Sequence, residues 1–328
     1  MLAMKALHTG LPAILFASLL AACSQALGGA PECVVPSKPG GAMHLTCKLA
    51  QTALQTMPGQ PTLTLSYLPG GIGAVAWHTL ASQRRAEPDT LVAFSGGSLL
   101  NLAEGKFGKA SADDVRWVAT LGADYGMIAV RADSPYRTLG QLLDALKRRP
   151  AEVLIGLSGT IGSQDWMKMA MVAQKAGINP RQLRFVALEG GGEAFTAMQA
   201  GYVQAVSGDS SEAPLYLRPG RDQVRVLAVL SEHRLPGVLA AVPTAREQGI
   251  DVVWPLIRGV WMGPGVPDAD YRRWVAAFDR MQAEPGFARM RAAAGLYPFS
   301  LTGDALTAYV KQAVVDYKRL AGQFKLLR

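Results

Sequence analysis

Five glycine-rich turns stand where an extended run gives way to a helical one. They read Pro39-Gly40-Gly41, Pro69-Gly70-Gly71-Ile72-Gly73, Ser95-Gly96-Gly97-Ser98, Ser158-Gly159-Thr160-Ile161-Gly162-Ser163 and Glu189-Gly190-Gly191-Gly192-Glu193. The chemistry such turns offer is anion capture. Glycine lets the backbone turn tightly and approach a ligand. The first N–H groups of a helix have no partner inside it and carry the positive end of its dipole. One such turn is ordinary, but five on successive strand–helix units point to an anion site at the carboxyl ends of the strands. At least one of the five is expected to be a plain turn.

Other chemistries find less support. Gly71-Ile72-Gly73-Ala74-Val75-Ala76, with Asp89 eighteen residues after Gly71, imitates a dinucleotide fingerprint. The preceding Pro69-Gly70 and the export signal described below count against it, so no cofactor is expected. Of four histidines, His8 lies in the leader, His78 on an expected helix and His233 in a polar loop, which leaves His44 beside the first glycine turn. No GxSxG elbow occurs, and Gly156-Leu157-Ser158-Gly159 lacks the final spacing. Asp209 and Glu212 in Ser207-Gly208-Asp209-Ser210-Ser211-Glu212 form a candidate acid pair, read in preference as a solvated turn or a ligand loop. No CxxC or HxxxH spacing suggests a metal. The residues assemble no catalytic constellation, and an enzyme is not expected.

The elements that must position the turns follow from periodicity. Short β-branched runs at 32–35, 62–67, 90–94, 125–130, 152–157, 185–188, 203–206 and 224–229 alternate with helical stretches at 43–57, 74–84, 138–149, 163–175 and 193–200. Residues 252–262 read as mostly extended apart from Pro255, and 268–282 and 304–320 are the strongest helical segments near the C-terminus. Thr138 and Gln141 form a capping box. Leu139, Leu142, Leu143 and Leu146 fall on one helical face, and Pro150 ends the helix. Such alternation predicts an α/β fold of mostly parallel sheets flanked by helices. The 328 residues, 49% apolar and 18% charged, allow two or three domains with sizeable cores.

The formal charge of +8 is dispersed, with no basic stripe interleaved with aromatics. A nucleic-acid partner is therefore not expected, whereas a mild positive field suits small anions. Lys5 and His8 precede an uncharged stretch, 11–22, too short for the about 20 residues that a bilayer span needs. It reads as the core of a signal peptide, 1–22. Leu20-Ala21-Ala22-Cys23 looks like a lipobox, with Cys23 as lipid acceptor; cleavage after Ala26 to give a soluble secreted chain is the alternative. Either outcome leaves Cys33 and Cys47 in a compartment that permits disulfides. One bond between them closes a loop of about 15 residues, two buried thiols being the alternative.

The stretches Pro31-Glu32-Cys33-Val34-Val35-Pro36-Ser37-Lys38-Pro39-Gly40-Gly41, Tyr67-Leu68-Pro69-Gly70-Gly71-Ile72-Gly73-Ala74-Val75 and Phe94-Ser95-Gly96-Gly97-Ser98 occur in order. They are followed by Gly162-Ser163-Gln164-Asp165-Trp166, Glu189-Gly190-Gly191-Gly192-Glu193-Ala194, Ser207-Gly208-Asp209, Val242-Pro243-Thr244-Ala245-Arg246-Glu247-Gln248-Gly249 and Arg258-Gly259. This ordered set resembles the substrate-binding proteins of tripartite tricarboxylate transporters, the Bug-type extracytoplasmic solute receptors, from about Glu32 to the C-terminus.

The resemblance implies a two-lobe periplasmic-binding-protein fold of type II kind, with the ligand cleft between lobes. Lobe one is expected at 31–125 plus 254–328, and lobe two at 126–253. It implies a monomeric periplasmic receptor, soluble or tethered through Cys23. Such a receptor captures a di- or tricarboxylate and passes it to a large and a small membrane permease subunit. A ligand-sensing module for a signalling partner and, less favoured, an exported hydrolase are the alternatives.

Ligand contacts are expected at Gly40, Gly41, His44, Gly71, Ser95, Gly96 and Gly97 from lobe one. From lobe two they are expected at Ser158, Gly159, Thr160, Ser163, Gly191 and Asp209. Glycines would present amides, Ser and Thr hydroxyls, and Asp209 would orient water or a ligand hydroxyl; no arginine pocket is expected. The family's first loop commonly reads Pro-Gly-Gly-Gly-Phe-Asp. Here Ala42 and His44 replace the third glycine and the acid, so His44 is expected to donate to a carboxylate and to strengthen binding as it protonates near its ordinary value.

Overall fold

The computed structural model describes residues 30–60, 62–217 and 223–326. The signal segment and Cys23 lie outside the described residues. The first half runs β1 (Glu32–Val35), α1 (Ala42–Gln55), β2 (Thr64–Tyr67), α2 (Ala74–His78), β3 (Thr90–Ser95) and α3 (Gly96–Ala103). A 16-residue strand, β4 (Arg116–Arg131), follows. Next come α4 (Leu139–Arg148), β5 (Leu154–Ser158), α5 (Gln164–Lys175), β6 (Arg184–Leu188), α6 (Gly191–Gln199), β7 (Ala205–Asp209), α7 (Ala213–Tyr216) and β8 (Val224–Leu230). The chain returns through β9 (Pro255–Met262) and ends in α8 (Asp268–Ala283), α9 (Pro285–Ala293) and α10 (Gly303–Gln323).

These elements form two lobes joined through β4. Residues 116–125 of β4 pair antiparallel with β9, which also pairs with β3; β1 lies parallel between β3 and β2. Residues 126–131 of β4 pair antiparallel with β7 and β8, and β5 runs parallel to both β7 and β6. Strands β1 to β3 and β5 to β7 thus pair in parallel, as the strand–helix alternation predicts, whereas the edge strand β8 runs antiparallel to β4. The centre is antiparallel because β4 and β9 carry the chain between lobes and run against the strands they meet.

The strand expected at 125–130 is the second half of β4. Its first half was hidden because register shifts after Trp117 and Thr120 break the two-residue alternation. The helix expected at 74–84 stops being α-helical at His78. Its last turn widens to an i to i−5 bond, from Arg84 N to Thr79 O at 2.8 Å.

The second lobe's core holds the expected leucine face of α4, with Leu139, Leu142 and Leu146 no more than 1% exposed, against Trp166, Met169, Ala170 and Ala173 of α5. Each fully buried leucine contributes roughly 1.5–3 kcal/mol. In the first lobe, Phe94, Trp117, Trp77 and Trp261 pack as an aromatic cluster. Helix α10 belongs to both cores: Leu306 and Val310 sit in the first, and Tyr317 and Leu320, with Phe324 just past the helix end, pack on the second. Cys33 and Cys47 form a disulfide between β1 and α1, their Cα atoms 5.6 Å apart.

Candidate functional site

Four helices begin at one cavity. Gly41 caps α1, Ser95 caps α3, Ser163 caps α5 and Gly190 caps α6, and all four residues line the same cleft of about 60 Å³. Two of the helices come from each lobe. The Ser95 hydroxyl accepts from Gly97 N at 3.1 Å, and the Ser163 hydroxyl accepts from Trp166 N at 3.4 Å. Capping of this kind satisfies part of each helix start and leaves the remaining amides for a ligand.

The walls stand close together. A Cβ placed on Gly41 would lie 3.4 Å from the amide nitrogens of both Gly191 and Gly192. One on Gly97 would lie 2.6 Å from Gln164 Oε1. Lys38 Nζ reaches Glu193 Oε1 at 3.2 Å, and Lys106 Nζ reaches Ile161 O at 3.3 Å, both from lobe to lobe.

Of the residues expected to contact a ligand, Gly41, Ser95, Gly97, Ser158, Ser163, Gly191 and Asp209 line this cavity. Gly71, Gly159 and Thr160 line a second depression of about 290 Å³, which shares Glu189 with the first. Gly40 takes φ +94°, and its carbonyl packs on Gly192. Gly96 backs onto Leu256 and Tyr317. His44 turns its ring to Tyr67, with Nδ1 2.8 Å from the phenol oxygen and the rings stacked. Burial, and then Lys48, lower its pKa, so the neutral imidazole is favoured.

Beneath the cavity lies a buried charge network that sequence reasoning did not assemble. Lys168 Nζ is 2.7 Å from both Asp165 Oδ1 and Asp209 Oδ1, and donates to Gly208 O at 2.6 Å. Arg258 donates to Asp124 at 3.0 and 3.1 Å and also binds Asp209. Gln164 Nε2 donates to Asp209 Oδ2 at 2.8 Å. Asp124 also accepts from the Ser210 and Ser211 hydroxyls and from Ser211 N. Each of the six charged residues here, counting Glu212, is at most 4% exposed.

Burial is the largest influence on these groups. It raises Asp165 to about 6, with Asp209 adding to the rise and Lys168 opposing it. Burial would also raise Asp209, but Lys168 and Arg258 hold it below the usual carboxylate range. Glu212 makes no ion pair among the described residues, and burial, then Asp209 and Asp165, push it up to about 8 against the weaker pull of the Asp209 amide and Arg258.

Two expectations change here. The loop carrying Asp209 and Glu212 is not a solvated turn, because both residues are buried. An arginine, Arg258, does line the cavity, yet its guanidinium is already engaged by Asp124 and Asp209. The lining residues not expected as ligand contacts include Ser37, Ser98, Asn101, Gln164, Asp165, Glu189, Glu212 and Arg258. Several lie inside the stretches that carry the family resemblance, which was the available signal. Lys168 carried none, since it sits mid-helix like any solvated lysine.

A family model described as "Tripartite tricarboxylate transporter family receptor" matches residues 52–326. A UPF0065 protein of Cupriavidus necator is 23% identical over 66% of this chain, and the chain covers 63% of that relative's length. Among solved structures, the periplasmic binding protein BugD superposes with a TM-score of 0.80 at 19% identity, over 90% of this chain and 98% of its own. MatC of Rhodopseudomonas palustris with bound malate gives 0.75 at 19% identity, over 89% and 98%.

Proposed function

The chain belongs to the receptor family of the tripartite tricarboxylate transporters, a family of binding proteins, and on that premise we propose that it captures a di- or tricarboxylate outside the cytoplasm and delivers it to a large and a small membrane permease subunit. The observation that carries the reading is the meeting of four helix N-termini, two from each lobe, on one cavity. Amides at α1 and α6, with hydroxyls of Ser95, Ser98 and Ser163, supply donors to a carboxylate. Arg258 acts as scaffold, since its charge is spent on Asp124 and Asp209. Hydrogen bonds to a charged group contribute roughly 1.5–3 kcal/mol each. A few of these, less the cost of association, reach micromolar affinity, about −8 kcal/mol.

Gly41, Ser95, Gly97, Ser158, Ser163, Gly191 and Asp209 are the contacts this reading uses. Gly71, Gly159 and Thr160 line the outer depression, and Gly40 and Gly96 shape the loops. Lobe one comprises 31–125 and 254–328, and lobe two 126–253. The change of β4 partners at 125/126 and the start of β9 at Pro255 support that division. The malate held by MatC supports the choice of acid, and no described helix is long and apolar enough to cross a membrane.

The test is a thermal-shift titration of the mature chain with malate, succinate and citrate. A ligand at a hundredfold excess over its Kd stabilises the folded receptor by about 2.7 kcal/mol. We expect a rise in melting temperature with at least one acid and none with a neutral sugar. No rise with any of the three contradicts the reading.

A further inference from the structure

We infer that Glu212 recognises the ligand carboxylate as a neutral acid, donating a proton-borne hydrogen bond from Oε1, so that ligand and proton are captured together. This rests on the carboxylate-receptor reading and names the group that meets the ligand's charge.

Position comes first. Glu212 lies in the turn 210–212 between β7 and α7 and is 2% exposed. Its Oε2 accepts from Asp209 N at 3.1 Å. Its Oε1 lies over the start of α6: a Cβ placed on Gly191 would fall 1.9 Å from it, and one on Gly41 3.7 Å from it. Oε1 therefore stands between the N-termini of α6 and α1, on the wall of the cavity where the ligand's own carboxylate finds backbone donors.

Charge comes next. The groups around Glu212 are Asp209 at the end of β7, Asp165 and Lys168 on α5, Arg258 on β9, Glu189 after β6 and Tyr216 on α7. The lining parts of α1 and α3, Ala42, Met43, Ser98 and Asn101, bring no charge. Lys168 is held by Asp165 and Asp209, and Arg258 by Asp124 and Asp209. Two cations already face three carboxylates, so a fourth ionised one would have to share Arg258, whose pull on Glu212 is outweighed by burial, Asp209 and Asp165. The acid keeps its proton, and its pKa of about 8 follows from burial and the neighbouring Asp209 and Asp165.

A ligand carboxylate arriving beside an ionised Glu212 would repel it. Beside the neutral acid it accepts a short O–H···O⁻ hydrogen bond, and its charge tightens the hold on that proton. Near neutral pH the Glu212 proton is already present and adds no slope to the affinity. Above about 8 each ligand must bring one from solvent, and affinity falls by up to about tenfold per pH unit.

Isothermal titration calorimetry with malate and with citrate, at about pH 7 and about pH 9.5 in two buffers of different ionisation heat, reads both affinity and proton uptake. We expect almost no uptake at the lower pH, close to one proton per ligand at the higher, and weaker binding there by about tenfold or more. Glu212→Gln keeps a donor and the shape. It should bind at the lower pH and lose both the uptake and the slope. Wild-type binding without uptake at the higher pH, or a Gln variant with the wild-type slope, overturns this inference and leaves the receptor reading standing. No heat with either acid at the lower pH overturns both. The proton count on the wild type decides the matter even if the variant does not fold.

Discussion

Asp209 is held by three donors from two elements, Lys168 and Gln164 of α5 and Arg258 of β9, and its ionised form is the one they favour. Glu212, three residues on, has none of these and titrates the other way. Its folded value of about 8 stands above the ordinary 4.5. Between those two values the folded chain holds a proton that the unfolded chain has lost. The Glu212 contribution to stability therefore falls as pH rises from about 4.5 to about 8 and levels off beyond. Glu212→Gln removes the titrating proton, so the variant should melt above the wild type at pH 8, and by a larger margin than at pH 5. Thermal denaturation at both values checks this, and a margin that does not grow with pH contradicts it. A buried carboxyl left without its proton or partner is among the costlier single features a core can carry.

At the level of elements, α1 presents Gly41 to the cavity, and the Cys33–Cys47 bond ties that helix to β1 between β2 and β3. Closing a loop of about 15 residues is worth about 3 kcal/mol in the chain-entropy account. Adding reductant should lower the urea midpoint correspondingly, and an unchanged midpoint would show that the bond does not hold the first lobe together. The caps show how local sequence sets helix starts. Gln141 N donates to the Thr138 hydroxyl at 3.2 Å as the capping box predicts, but Gln141 Oε1 accepts from Arg137 N instead of closing the box. Helix α4 was legible because its four leucines recur with the helical period. The first half of β4 was not, because its register shifts and Gly122, at φ +158°, interrupt the strand period.

Over the whole molecule, function in the proposed reading needs the lobes to approach, and glycines set how near they come. A Cβ on Gly192 would lie 2.9 Å from the Gly40 carbonyl carbon across the cleft, a backbone contact that cannot swing aside. Gly192 sits in the first turn of α6, where alanine favours the helix by up to about 1 kcal/mol. Gly192→Ala should therefore fold at least as stably as the wild type and bind malate or citrate more weakly by about tenfold, or ~1.4 kcal/mol. A titration showing unchanged affinity would mean that the lobes need not close this far. What the sequence alone determined is local: glycine turns before helices, a leucine stripe, a pair of cysteines, and an ordered set of motifs marking the family. Each depends on residues a few positions apart, whose backbone preferences act directly on one another. Only the tertiary structure decided which helix starts share a cavity, that Arg258 is spent on Asp124 and Asp209, 134 and 49 positions away, and that Glu212 makes no ion pair of its own among the described residues. Burial and charge pairing depend on segments the chain brings together only after folding, and no local spacing records them.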